Sequence, residues 1–508
     1  FDFDLFGILN SIFYMNISVL WFKKDLRIND HKPFSIAAEK GFVLPLYIYE
    51  PDIINAEDYD PKHHQFINDS LLSLKNELEK IGGYLHIEYG SSLEVFAKLK
   101  SELNEPISIF SHEETGNWVS YNRDLKTKEW CRDANVLWYE FSQFGVQRPL
   151  KSRDGWSYEW NKAMNEQILP APSKVIFHSY NHTFKLLNAD SIEKKMTYSD
   201  IQVGGRKNGQ ELLSTFLNER GHNYSKEMSS PLTAITSCSR ISPYITFGNL
   251  SIREIYQTAK QKRNDLKNIP NTGKWRSSIT SFLGRLRWHC HFIQKLEDQP
   301  SIEWKNMSTS YDGIRENDFN DVYYNAWKSG NTGYPLIDAC MRCLVSTGYI
   351  NFRMRAMLVS FASYDLWLDW RKTSKYLARQ FLDYEPGIHF SQFQMQSGVT
   401  GINSIRIYNP VKQQRDHDPE GVFVKMWVPE LKNVPLEYIF TPHLMSDNFQ
   451  EMHSVKIDVD YPAPIVDHDL QAKKAKKILY GIKGTKEAKD NARKVYLKHG
   501  SRRKRKNG

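Results

Sequence analysis

Between Asn331 and Pro410, apolar residues recur at helical spacing while ionisable residues run through the same stretch. It reads N-T-G-Y-P-L-I-D-A-C-M-R-C-L-V-S-T-G-Y-I-N-F-R-M-R, then L-W-L-D-W-R at 366–371. F-L-D-Y-E-P-G-I-H-F-S-Q-F-Q-M-Q-S-G follows, and R-I-Y-N-P closes it. The spacing predicts buried helices. Arg353, Arg355, Asp383, Glu385 and His389 must then be paired or turned toward a ligand, because an isolated buried charge is expensive. Two readings stay open on residue types: a structural Arg–Asp network, or a site with perturbed groups.

The first part of the chain has a different period. Ile17–Phe22 (I-S-V-L-W-F) and Val43–Tyr49 are short apolar runs, and a helix-like P-F-S-I-A-A-E-K closed by Gly41 lies between them. Helical and strand-like segments then alternate as far as N-V-L-W-Y at 135–139. That order predicts an α/β doubly wound parallel sheet over 15–150. No G-x-G-x-x-G follows the first strand, so a standard dinucleotide grip is unsupported, while the strands' carboxyl ends stay open to a ligand. Residues 151–207 read as a connector, 208–470 as an all-α part, and 471–508 as a basic tail. Residues 1–14, ahead of Met15, read as a leader or a cloning remnant.

Two segments of the helical part carry chemistry. S-R-I-S-P-Y-I at 239–245 opens a helix with hydroxyls and Pro, which suits a phosphate or a plain cap. In S-F-L-G-R-L-R-W-H-C-H-F, Trp288 stands beside Arg285, Arg287 and His289. A Trp flanked by cations can stack a base, or simply be buried beside solvated arginines.

The 508 residues carry a net charge of +9. The last 38 hold 15 Lys and Arg against 2 acidic residues, leaving 53 basic and 57 acidic elsewhere. The basicity therefore belongs to the tail, expected as a solvated run with some attraction for phosphate. Five cysteines make no disulfide framework, and the lone Cys340-x-x-Cys343 suggests no metal. No apolar run is long enough to span a membrane. The expectation is a cytoplasmic monomer away from membranes, nucleoid-associated in a bacterium, with a nuclear setting open to a eukaryotic host.

Taken in order, W-F-K-K-D-L-R-I-N-D, S-R-I-S-P-Y, W-K-S-G-N-T-G-Y-P-L-I-D-A-C-M-R, D-W-R, R-I-Y-N-P, W-V-P-E-L and Y-P-A-P-I-V-D resemble the photolyase/cryptochrome family over nearly the whole chain. The resemblance implies an antenna domain and a helical domain holding FAD. It puts Tyr224, Ser239, Ile241 and Ser242 at the FAD phosphates. Arg355 and Asp383 would form a pair facing the flavin ring, with Glu385 beside it. It implies light-driven electron transfer from reduced FAD to a pyrimidine dimer flipped out of UV-damaged DNA, with Trp288 stacked on the dimer. A second antenna chromophore of unknown identity would sit in the N-terminal domain.

The sequence also departs from the family's pattern. His389 stands where the family has Asn or Asp near flavin N5, and an imidazole there can donate or accept a proton near working pH. Arg285 replaces a carboxylate one turn before Trp288. Trp370 keeps the middle place of a tryptophan relay, but Phe393 and Asn317 fill the inner and outer places. Trp367, Tyr364, Tyr376 and Tyr384 are other routes for an electron. The expected catalytic residues are Trp288, His389, Arg285 and Trp370, with no metal. The favoured activity is a deoxyribodipyrimidine photolyase for cyclobutane dimers, since the paired histidines of (6-4) enzymes are missing. The alternative is a cryptochrome-type blue-light receptor that binds FAD without repair.

Overall fold

The computed structural model describes residues 16–500 apart from 104, 149, 151, 189–200, 271 and 318. The expected leader over 1–14 and the final S-R-R-K-R-K-N-G lie outside the described residues.

Five parallel strands form one sheet in the order β3-β2-β1-β4-β5. They are β1 (Ile17–Phe22), β2 (Phe42–Tyr49), β3 (His86–Tyr89), β4 (Ile107–His112) and β5 (Leu137–Phe141). Ile17 is in register with Phe42 on one side and Ile107 on the other. All six residues of β1 are buried, as a central parallel strand covered on both faces requires. Its alternation divides two cores. Leu20 and Phe22 pack with Phe34, Phe66 and Leu71, while Val19 and Trp21 pack with Val95, Phe96 and Leu99. The strand order reverses at β1, so a crevice opens beyond its carboxyl end.

The K-K-D-L-R-I-N-D motif fastens that end to the rest of the molecule. Asp25 Oδ2 accepts from His31 Nε2 at 2.9 Å and His112 Nδ1 at 2.7 Å. Arg27 is buried and donates to the Gly248 carbonyl at 2.9 Å, which ties the sheet to the helical part. Among the described residues of the expected connector, the helix Trp156–Met164 buries Trp156, Trp160 and Met164, and a further helix, Arg206–Asn218, begins before its end.

In the helical part, Gly387 lets the helix Pro386–Gln396 lie on the long helix Trp275–Asp298. A Cβ at Gly387 would stand 2.5 Å from the Ile293 Cα, so no other residue fits without separating the two. The N-T-G-Y-P-L-I-D signature proves to be a staple. Asp338 Oδ1 accepts from the Thr332 backbone and hydroxyl at 2.8 and 2.7 Å, and Oδ2 accepts from the Tyr461 hydroxyl at 2.6 Å. The described part of the basic tail is helical and docked, with its charge on the outer face. His468–Gly484 and Lys486–His499 are helices that dock through Ala472, Ala475, Leu479, Ala488 and Val495. Their lysines face solvent because the small and apolar residues share the other face. Among the described residues no helix is long and apolar enough to cross a membrane.

Candidate functional site

The helices Phe352–Ser360 and Pro386–Gln396 and the turn over 381–385 line a cleft of about 550 Å³. It gathers Arg355, Asp383, Glu385 and His389, four of the residues singled out from the sequence. Phe352, Ala356, Val359, Phe381, Ile388 and Phe393 supply its apolar walls.

Arg355 and Asp383 form a fork: Nη1 donates to Oδ1 at 2.9 Å and Nη2 to Oδ2 at 3.0 Å. Arg355 Nε is held by the Ile350 carbonyl at 2.7 Å, so the guanidinium plane is fixed. Burial works to raise the Asp383 pKa, but the Arg355 charge overrides it, and the carboxyl stays below its ordinary range. The Ser242 hydroxyl adds to this, which joins the S-R-I-S-P-Y segment to the cleft. Glu385 has no such partner. Burial pushes its carboxyl up to about 7 against a weaker pull from Lys24, and its Oε1 finds no hydrogen bond among the described residues. Gln392 Oε1 is likewise buried and unsatisfied. Two unpaired acceptors and one anchored ion pair between aromatic walls fit a flat ligand that carries donors and an acceptor edge. The flavin of FAD has that chemistry.

His389 differs from its expected behaviour. Its Nε2–H donates to the Ser374 carbonyl at 2.9 Å. Tyr384 and Phe393 pack on the ring, with centroids at 5.1 and 4.6 Å. Burial lowers its pKa to about 4, so the imidazole is neutral near pH 7 rather than poised to titrate.

Tyr224, Ser239, Ile241, Trp288, Arg285, Trp370 and Asn317 do not line the cleft. Tyr224 and Ile241 are buried, and the Ser239 carbonyl accepts from Arg220 Nη2 at 2.7 Å. Trp288 is 43% exposed and stacks on Phe292 at 5.6 Å. Arg285, on the same face one turn earlier, lies 6.0 Å from the ring of Phe352, at the cleft's rim. Trp370 is buried, and its Nε1 donates to Asn306 Oδ1 at 2.8 Å. Asn317 is exposed. Cys340 and Cys343 are buried thiols whose pKa values burial raises.

The strands' carboxyl ends, which the sequence leaves open to a ligand, hold a second space. A cavity of about 880 Å³ opens there, walled by Trp21, Tyr47, Tyr49, Tyr59 and Phe247, with Tyr384 closing one side. Arg123 lines it and binds Glu50 at 2.5 Å, Glu114 at 2.6 Å and Asp124 at 2.9 Å. The signal for it was charge at the end of β2 and just past β4, where a buried sheet needs none. Beside it, Asp25, His31 and His112 have metal-ligand types. His31 Nδ1 accepts from the Phe34 N–H, so Nε2 carries the proton it gives Asp25, and the trio is a hydrogen-bonded node.

Comparison with known proteins matches both parts. Residues 18–149 match the DNA photolyase family model, and residues 282–480 match the FAD binding domain of DNA photolyase. The deoxyribodipyrimidine photo-lyase of Alkalihalophilus pseudofirmus is 28% identical over 91% of this chain and 97% of its own length. Cryptochrome DASH of Synechocystis is 26% identical, covering 91% of this chain and 97% of the relative. The archaeal photolyase from Sulfolobus tokodaii, crystallised with two FAD molecules that imply a novel light-harvesting cofactor, superposes with a TM-score of 0.73. It is 28% identical and is matched over 92% of this chain and 99% of that one.

Proposed function

The chain belongs to the photolyase/cryptochrome family, and from that premise we propose that it is a light-dependent DNA photolyase acting on pyrimidine dimers, the cyclobutane type in preference to (6-4). One observation carries the reading. A half-exposed tryptophan, Trp288, stands one helical turn from Arg285, which lies at the rim of a cleft suited to FAD. A large aromatic left in water is a stacking platform in search of a base.

Bound in the cleft, FAD would supply a light-driven electron to the dimer and recover it after the ring splits. The protein's share is placement. Arg355 and Asp383 would hold the flavin with their charges mutually compensated. Phe381, Phe393 and Val359 would keep water from it. Tyr224, Ser239, Ile241 and Ser242 would hold the phosphates. Glu385 and Gln392 would accept from donor groups of the bound molecule. Arg285 would meet the electron-rich lesion, and Trp288 would stack the flipped base, which costs less to extrude when damaged. A second pigment would lie in the cavity at the strand ends, whose aromatic walls suit a flat chromophore.

The test is exposure of the FAD-loaded protein to an oligonucleotide containing a cyclobutane dimer, under blue light with a reductant. Loss of the dimer is expected. In Trp288→Ala, affinity for that oligonucleotide should fall by about 1–3 kcal/mol. An unchanged dimer with flavin in place refutes repair and favours a cryptochrome-type receptor, a reading supported by Phe393 at the relay position nearest the flavin.

A further inference from the structure

Tyr384 is the one residue common to the linings of the cleft and the strand-end cavity. Its ring meets His389 edge-on at 5.1 Å on the cleft side. Its hydroxyl points the other way and donates to Asp58 Oδ2 at 2.6 Å. Asn117 Nδ2 donates to the same oxygen at 2.8 Å and fixes the carboxylate. Tyr384 and Asp58 are both buried, 326 residues apart in sequence. A hydrogen-bonded phenol and carboxylate therefore span the wall between two ligand-sized spaces.

The other rings offered by the sequence as electron routes, Trp367, Tyr364, Tyr376 and Trp370, are placed differently. Arg315 lies over Trp367 at 4.4 Å and over Tyr364 at 5.6 Å. Lys328 and Arg379 flank Tyr376 at 5.3 and 5.8 Å, and Arg371 lies over Trp370 at 5.0 Å. A cation on a ring face stabilises the neutral ring through its quadrupole and so opposes removal of an electron. Proton acceptors differ as well. Trp367 Nε1 donates to the Ile314 carbonyl and the Tyr376 hydroxyl to the Lys328 carbonyl, and a carbonyl does not keep a proton. The Tyr364 hydroxyl has no acceptor among the described residues. An oxidised phenol is a strong acid and must shed its proton at once. Of these rings, Tyr384 alone offers it to a carboxylate.

We propose that Tyr384 is a one-electron donor to the flavin and that Asp58 is its proton acceptor. The oxidant is oxidised flavin excited by blue light, so the inference rests on FAD occupying the cleft. One electron leaves the phenol for the flavin. The Tyr384 O–H bond breaks, and an O–H bond forms on Asp58 Oδ2. A neutral tyrosyl radical and a protonated carboxyl remain. A thiol giving one hydrogen atom then restores the phenol, the thiyl radicals left behind couple in pairs to a disulfide, and Asp58 returns its proton to solvent. The pair takes over the work that Phe393, much harder to oxidise than Trp, does not do.

The experiment is blue-light illumination of the FAD-loaded full chain with a thiol present, followed by flavin absorbance and by electron paramagnetic resonance. Wild type should give a tyrosyl signal whose hyperfine lines narrow when the tyrosines are ring-deuterated. Y384F should bind FAD, lose that signal and take up electrons at least about tenfold more slowly. D58N keeps the phenol and should be slowed as well, and electron uptake in wild type should be slower in D2O. Equal rates in wild type and Y384F, or a tyrosyl signal that survives in Y384F, overturn the inference while leaving the proposed function intact. A chain that takes up no FAD overturns both together.

Discussion

At the ends of the strands, one guanidinium meets three carboxylates: Arg123 is shared among Glu50, Glu114 and Asp124. In the cleft, Arg355 meets one carboxylate, and Glu385, buried a short way along the chain, meets none. The first space sets its carboxylates around one shared cation and leaves a mainly aromatic wall for whatever enters. The second keeps acceptors unmatched and so waits for a partner. Burial pushes on Glu114 and Glu385 alike, yet Glu114, held by Arg123 and then Lys23 and Lys24, sits at about 2, whereas Glu385 sits at about 7. The difference is one of neighbours, not of depth.

That contrast breaks most visibly at Arg123. Arg123→Met removes the guanidinium that lies over Trp21 at 4.9 Å and leaves three carboxylates without their shared cation. Loss of a partner from a buried cluster of this kind costs about 3–5 kcal/mol. Urea unfolding followed by tryptophan fluorescence should report it, and an unchanged midpoint would mean that the cluster is neutralised some other way. Asp383→Asn is the counterpart in the cleft. Arg355 keeps the Ile350 carbonyl and is a quarter exposed, so the expected loss is smaller, about 2–3 kcal/mol. It should also release FAD, and full retention of the pigment would detach this pair from flavin binding.

Glu385 sharpens the comparison because its effect has the opposite sign. A carboxyl whose pKa rises on folding binds its proton more tightly in the folded state. Its contribution is complete below the ordinary value of 4.5 and is lost as pH climbs through about 7. Glu385→Gln should therefore match wild type near pH 4.5 and be more stable at pH 8, by up to about 2 kcal/mol. Paired urea titrations at the two pH values measure it. A variant less stable at pH 8 would show that the carboxylate is paired after all.

How much of this was legible follows from where each signal resides. The alternation of I-S-V-L-W-F is local, and β1 forms as written. β5 begins two residues later than its apolar run because Asn135, at φ 53°, is still turning out of the preceding helix. In the tail, Ala472, Ala475 and Leu479 recur at helical spacing, but a count of lysines hides them. The strand-end cavity draws Glu50, Asp58, Glu114 and Arg123 from separate segments, so no window of sequence contains it. Arg355 and Asp383 were readable because an Arg and an Asp in apolar helical surroundings have few alternatives to each other. The pairing of Tyr384 with Asp58 was not, since the two meet only when the sheet closes on the helices.

The smallest effect belongs to His389, and it separates the residue's identity from its charge. Its type suggested a switch near neutrality, whereas its surroundings forbid one: two aromatic rings cover it, and its Nε2–H is committed to Ser374. With a folded pKa of about 4, the ring is neutral from pH 5 to pH 8 whenever the protein is folded. His389→Asn should thus leave the pH profile of FAD affinity over that range unchanged in shape. At pH 7.5 it should shift stability by no more than about 1 kcal/mol, the worth of the Ser374 bond. Unfolding at lower pH behaves differently. The unfolded imidazole takes a proton below its ordinary 6.5, so wild type loses stability as pH falls from there toward 4, and the variant is spared that loss. An inflection in FAD affinity near pH 6.5 that vanishes in the variant would mean that the folded ring does ionise, and the cleft would then hold a proton switch as well as an ion pair.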